Sequence, residues 1–345
     1  MPRAPKKLTR ILSIDGGGIR GILPGQILVD LEQILQAKTQ DPSARIADYF
    51  DLFAGTSTGG ILMCLYLCPE NPRSSRPRYS AKQAVDLYLE RGDEIFNVSV
   101  WQRIRSGGGL TDEKFDADEL ERALRDFMGS TRLSQLLKPC LIAAYNIEQR
   151  YPHFFTQHDA VKKPSYDFYL RDVARATSAA PTYFEAARVS SMTQTAYALV
   201  DGGLFANNPA LCAYAEAQTM RFPKRSSHPT VKDMVVLSLG TGEIKKSYPY
   251  SSAKNWGLVE WVRPVIDILM TANSDTVSYE LKQMFESVER PDQFLRIDPS
   301  LGNASPDMDN ASAQNLKALQ EAGERSAAEH RKELEALAEL LIRNA

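Results

Sequence analysis

The sequence predicts an α/β protein with a central, mostly parallel sheet flanked by helices. Three observations point there. Short apolar runs alternate along the chain with longer segments of helical periodicity, the pattern of strands joined by crossover helices. Runs such as MVVLSL are apolar at all but one position instead of alternating, as suits strands covered on both faces. Strand-like runs end in glycine turns at 15–18, 55–60 and 240–242, and a fourth ends at 201–203. Open α/β sheets bind ligands at the carboxyl ends of their strands, so these turns are expected to meet in one crevice.

In chain order, RILSID (10–15) reads as the first strand and ILPGQILVDLEQILQAK (22–38) as an amphipathic helix. RIADYFDLFAG leads into a second strand and the turn FAGTSTGG. GILMCLYLC is then a buried helix stopped by Pro69. The Pro-, Ser- and Arg-rich stretch 69–80 is a loop, and 81–96 a helix. Residues 98–115 form a loop with three glycines. A helix follows, capped by Asp116 or Asp118. KPCLIAAYN (138–146) is a β run, and 166–184 reads as a helix ended by Pro181. AYALVDGGLFANNPA (196–210) gives a strand, a turn and the start of a helix, and MVVLSLGTGE (234–243) a buried strand. About 256–290 is helical, with Trp256, Trp261, Ile266, Leu269 and Met270 expected on its apolar face. QFLRID (293–298) is a last short strand, and 311–344 reads as one long charged helix.

Composition narrows the function. Apolar residues are 43% of the 345 and charged residues 24%, enough for both a core and a polar surface. A net charge of −2 argues against a general nucleic-acid binder. The four cysteines read as buried free thiols, because no histidine or second cysteine pair completes a metal site. The basic N-terminus lacks the apolar core of a signal peptide, and ILMCLYLC is too short to span a bilayer. A cytosolic location is therefore expected.

GTSTG (55–59) fits the G-x-S-x-G nucleophile elbow, a strained strand-to-helix turn that holds Ser57 at a helix N-terminus. The plainer alternative is a glycine turn with a capping serine. DGGGIRG (15–21) has two sharp readings. Gly16, Gly18 and Gly21 match the dinucleotide fingerprint G-x-G-x-x-G. That site expects a second strand ending in an acid about twenty residues on, and QAKTQDPSARIADYF has none. The favoured reading is an oxyanion hole, in which consecutive glycines aim main-chain N–H groups at one oxygen and Arg20 adds positive charge.

DGGLFANNP (201–209) puts Asp201 in a strand-end glycine turn. A serine nucleophile needs a base, and the four histidines are poor candidates. His228 lies in a polar loop and His330 in the charged last helix. His153 and His158 precede Asp201, against the Ser…Asp…His order of α/β-hydrolases. A carboxylate acting directly on the serine fits better. TSAAPTYF (177–184) either lines a pocket or packs, and LSLGTG (237–242) alone is an ordinary strand end. The arginine-bearing loops 69–80 and 98–110 could meet anionic headgroups, though solvated loops are commoner.

DGGGIRG, GTSTGG, ATSAAPTYF, DGG and LSLGTG, in this order, resemble the patatin-like phospholipase family over about residues 10–300. The resemblance implies a three-layer patatin-like catalytic domain over 8–300, with a helical extension at 301–345 packed on it. It implies a Ser57–Asp201 dyad with no catalytic histidine, metal or cofactor. Gly16, Gly17 and Gly18 with Arg20 would form the oxyanion hole, and Thr58, Gly59 and Pro181 would adjoin the substrate pocket. The implied substrate is an acyl ester of a membrane phospholipid, met by peripheral contact at the inner membrane surface. The segment GLVEWVRPVIDILMTANSDTVSYEL also looks like bacterial members switched on by cyclic dinucleotides as antiphage effectors. Such an enzyme would need a gate, either that ligand or one of the two arginine-bearing loops. The rival function is a non-hydrolytic dinucleotide-binding module built on 16–21.

Overall fold

The computed structural model describes residues 7–96, 118–222, 227–243 and 247–345. Its sheet contains β1 (Thr9–Ile14), β2 (Leu52–Thr56), β3 (Cys140–Asn146), β4 (Tyr151–Thr156), β5 (Ala187–Ser190), β6 (Ala196–Asp201), β7 (Met234–Leu239) and β8 (Phe294–Ile297). The spatial order is β5-β6-β3-β2-β1-β7-β8, with β4 paired to β3. The stretch β3-β2-β1-β7-β8 is parallel, and β4, β5 and β6 run antiparallel to their neighbours.

The longer helices are α1 (Ile22–Thr39), α2 (Thr58–Leu67), α3 (Ala81–Phe96), α4 (Asp118–Met128), α5 (Leu170–Thr177), α6 (Ala210–Thr219), α7 (Leu258–Ser287), α8 (Ala313–Glu329) and α9 (Arg331–Arg343). Side chains alternate across a strand, and the core splits accordingly. Leu12, Phe53 and Leu237 join α1 to α5, α8 and α9 in one apolar cluster. Their neighbours Ile11, Leu52, Ala54 and Val236 pack on the other face against Ala210, Ala213 and Ala217 of α6 and Val277, Leu281 and Phe285 of α7. Helices thus cover both faces, as the continuous apolar strands predict. α8 and α9 lie on α1, and Arg10 ties α9 to the sheet through the Leu341 carbonyl and a salt bridge to Asp51.

Four expectations change. The long C-terminal helix breaks at His330, whose backbone leaves helical geometry and whose Nδ1 meets the Ser326 carbonyl. The 166–184 helix is only Leu170–Thr177 and stops well before Pro181. Thr177 and Ala179 are drawn to the sheet end, where the Thr177 hydroxyl donates to the Ala143 carbonyl and the Ala179 carbonyl accepts from Asp201 N–H. β4 and β5 were not read from the sequence: YPHFFT lacks apolar–polar alternation, and ARVS alternates but over only four residues, and both become strands by pairing along neighbours. In α7, Trp261 and Leu269 are exposed, and the buried face belongs to the second half of the helix. The loop at 98–110 lies outside the described residues. Cys64, Cys68 and Cys140 are buried free thiols, and Cys212 is partly buried. No helix among the described residues is long and apolar enough to cross a membrane.

Candidate active site

β2 ends at Thr56 and α2 begins at Thr58, so Ser57 is the single residue between them. Its backbone sits at φ 54°, ψ −122°. Few side-chain-bearing residues adopt positive φ, at a cost of about 1–3 kcal/mol. The surroundings hold it there. Ser57 N–H donates to Thr177 Oγ1 at 2.9 Å, Thr177 Oγ1 donates to the Ala143 carbonyl at 2.6 Å, and the Thr56 hydroxyl donates to the Ala206 carbonyl at 2.6 Å. β2, β3, α5 and the segment after β6 are thereby joined at one point. Ser57 makes no side-chain capping bond, which leaves its hydroxyl for another partner.

That partner is Asp201, the last residue of β6. The Ser57 hydroxyl donates to its carboxylate, and Gly203 N–H donates to Oδ1 at 2.7 Å. Asp201 is 4% exposed. Burial raises its pKa to about 7, and these two hydrogen bonds only partly oppose the shift. No charged group among the described residues contributes to it.

The glycine run after β1 faces the same point: a side chain at Gly16 would meet Ser57 Cβ at 3.2 Å. Its main-chain donors are not equivalent. Gly16 N–H is committed to the Asn207 carbonyl at 3.1 Å, and Ile19 N–H to the Met308 carbonyl at 2.8 Å. Gly17 and Gly18 N–H have no acceptor among the described residues. Gly18 sits at φ 60° against the Met308 carbonyl, where a Cβ would be strained and crowded. At Gly17 φ is 166°, outside the left-handed region that favours glycine. There the limit is the Thr241 side chain, whose hydroxyl donates to the Gly16 carbonyl at 2.7 Å and fills the place of a Cβ.

The remaining site residues take other positions. Arg20 is buried and braces the loops: Nε donates to the Gly17 carbonyl at 3.3 Å and Nη1 to the Gly242 carbonyl at 3.5 Å. The Thr58 hydroxyl bonds Tyr88 Oη at 2.8 Å, on the core side of α2. Gly59 packs against the Ile14 carbonyl. Pro181 is half-buried beyond α5, next to Thr182 at φ 73°. The loop 69–80 follows the far end of α2. Ten residues of helix, about 15 Å, separate it from Ser57, which counts against it as a gate.

Behind the glycine run lies a polar network. Asp15 is held on both oxygens by Arg296, at 2.9 and 2.8 Å, and accepts from Ser274 Oγ at 3.0 Å. Asn207 Nδ2 donates to the same Ser274 oxygen at 3.1 Å. Burial lifts the Asp15 pKa to about 6 against the pull of Arg296. Burial opposes charge on Arg296 too, but its pairing with Asp15 more than offsets this. A cavity of about 160 Å³ adjoins this network, with Asp15, Arg20, Asn207, Met270 and Met308 in its wall. Neither Ser57 nor Asp201 lines it.

The histidines stay apart. His153 occupies an aromatic cluster with Phe155, Phe168 and Tyr197, and burial lowers its pKa to about 4. Strand pairing places it two strands from Asp201, about 10 Å. His158 meets Glu216 at 2.8 Å, His228 the Met220 carbonyl, and His330 the Ser326 carbonyl. The dinucleotide reading also loses ground. β2, the strand that follows α1, ends in Thr56, with Ser57 next, where a ribose-binding acid would be needed.

Thr177, Asn207, Ser274, Arg296 and Met308 were not foreseen individually. Thr177 and Asn207 lie inside motifs that the sequence singled out, whereas Arg296 and Met308 carry no local signal.

The patatin-like phospholipase family profile matches residues 12–214. Patatin-like protein 2 of Arabidopsis thaliana is 36% identical over 341 residues, covering 92% of this chain and 82% of that protein. Patatin-like protein 4 of the same plant is 34% identical over 334 residues, covering 92% and 83%. Probable inactive patatin-3-Kuras 1 of Solanum tuberosum is 34% identical over 330 residues, covering 92% and 86%. Among solved structures, human GIVD cytosolic phospholipase A2 with methyl gamma-linolenyl fluorophosphonate aligns over 98% of this chain and 60% of that one, at 11% identity and a TM-score of 0.40. That likeness is too low to bear on activity. The profile match across more than half of the chain, together with identities above a third over nearly all of it, makes this chain a member of the patatin-like phospholipase family.

Proposed function

We infer that the chain is a serine acyl hydrolase that cleaves acyl esters of membrane phospholipids with a Ser57–Asp201 dyad. The carrying observation is the Ser57 hydroxyl bonded to a buried carboxylate that no cation among the described residues neutralises. Family membership alone would not suffice, since a relative of similar identity is described as probably inactive. As Ser57 Oγ attacks the ester carbonyl, its proton passes to Asp201. Gly17 and Gly18 N–H donate to the oxyanion, and N1 of α2 adds the positive end of a helix dipole. Collapse expels the alcohol, which takes the proton from Asp201 and leaves the acyl group on Ser57. Water then attacks this ester, Asp201 accepts its proton, and the fatty acid leaves as the proton returns to Ser57. An ordinary carboxylate near 3.9 is a weak base for a serine. A pKa raised to about 7 brings Asp201 closer to the task.

Activation by a cyclic dinucleotide, antiphage action and an inner-membrane location are carried by sequence resemblance alone. Turnover with and without a panel of cyclic di- and oligonucleotides tests the first, and a rate that no ligand changes would refute it. The dyad is tested by fluorophosphonate labelling and release of fatty acid from phospholipid vesicles. Both should vanish in Ser57→Ala, and labelling that persists there would refute the assignment.

A further inference from the structure

α7 changes character along its length. Its second half is an ordinary surface helix, with Val277, Leu281 and Phe285 buried and Lys282, Gln283 and Glu286 exposed. Its first half is the reverse. Leu258 is 91% exposed and Val259 84%, while Trp261, Val265, Ile268 and Leu269 are 38–45% exposed. At 3.6 residues per turn, positions 258, 261, 265, 268 and 269 fall on one stripe, and 267, 270, 271 and 274 on the opposite side. That opposite side meets the site. Met270 Cε approaches Gly203, beside Asp201, and Ser274 bonds Asp15. Glu260 and Asp267 lie on the same polar side, where Asp267 accepts from Tyr248 Oη at 2.8 Å. Trp261 stands edge-on to Trp256, and Trp256 to Tyr248.

We propose that the first half of α7 is the surface by which the enzyme docks on a lipid bilayer, with Leu258, Trp261, Val265, Ile268 and Leu269 entering the interface. This rests on the lipid hydrolase reading and extends it to the route of the substrate. The stripe is continuous with the candidate site through a single helix. Docking would therefore hold Asp201 within about one helix diameter, ~10 Å, of the lipid surface that contains the ester. A helix with an apolar, Trp-bearing stripe opposite a polar side is the form that lies in a bilayer interface.

The test separates binding from turnover. Ser57→Ala, and Ser57→Ala with Leu258→Asp and Trp261→Asp, are sedimented with phosphatidylcholine/phosphatidylglycerol vesicles. Both acids stand on exposed positions in the first turn of α7, where negative charge suits the helix dipole, so the fold is not threatened. The paired substitution should lower vesicle binding by about tenfold or more. In the Ser57-containing protein it should lower vesicle hydrolysis alike while leaving hydrolysis of a monomeric short-chain ester within about twofold. Unchanged vesicle binding overturns the proposal. So does a paired variant that loses self-association in light scattering but binds vesicles as before, because the stripe then covers a second copy of the chain. A parent that binds vesicles through the stripe yet hydrolyses neither substrate refutes the hydrolase reading and leaves the docking surface standing.

Discussion

The triplet Asp-Gly-Gly occurs at two strand ends, at Asp15 after β1 and at Asp201 closing β6, and the two acids have opposite circumstances. Both are buried, and burial raises both pKa values. Asp15 is gripped on both oxygens by the Arg296 guanidinium, so its charge is answered and its lone pairs are engaged. Among the described residues Asp201 has only neutral partners, the Ser57 hydroxyl and Gly203 N–H. An acid neutralised by a cation is a scaffold, whereas a desolvated acid hydrogen-bonded to a serine is placed to accept a proton. Identical triplets thus acquire different surroundings from residues far away in sequence.

The widest expected separation is in activity. Asp201→Asn should lower turnover by about 10²–10⁴-fold, measured as fatty acid release. The same variant should be no less stable than the parent at pH 8. Because the folded pKa of Asp201 lies above its unfolded value, the native state binds more protons between about pH 4 and 7. This group's contribution to stability therefore falls as pH rises through that window, and Asn removes the effect. Thermal melts at pH 5 and 8 check it; a large loss of stability at pH 8 would make Asp201 a structural acid like Asp15.

Asp15→Asn should show the reverse emphasis. Removing one partner of a buried ion pair costs about 3–5 kcal/mol. Asp298, which stays at 3.1 Å from Arg296, should keep the loss near the lower end. Urea unfolding measures it, and an unchanged midpoint would break the contrast between the two acids. Thr177→Val comes next. It orphans the buried Ser57 N–H at a strained turn, for about 1–3 kcal/mol, and turnover should fall with it. Stability and activity that both match the parent would show that the elbow needs no such support. The smallest effect is expected from His153→Gln, which should leave turnover within a few-fold, since His153 touches neither Ser57 nor Asp201.

The residues gathered at this candidate site were more legible than its framework. The elbow at Ser57, the glycine runs and the acid at 201 are local patterns, and steric demands at strand ends write them directly into sequence. The parallel core was legible for the same reason, as runs such as CLIAAY and MVVLSL are largely apolar. What could not be read depends on pairing at a distance. The partner of Asp15 is Arg296, 281 residues on. The donors left in the glycine run follow from Asn207 and Met308 carbonyls, which have no sequence mark. β4 carries no alternation and β5 only four alternating residues, so pairing with β3 and β6 makes them strands. In α7, apolar residues expected to face the core face outward, because periodicity locates a stripe without saying what it meets.

The claim that Asp201 is the base for Ser57 is tested most directly by the pH dependence of kcat/KM on a soluble monomeric ester. The ionised carboxylate is the active form, so the rate should rise with pH and reach half its plateau near pH 7. The limb should persist unchanged in His153→Gln, His158→Gln, His228→Gln and His330→Gln. A limb at the ordinary carboxylate value near 4, or one that disappears with any of these histidines, would contradict the account.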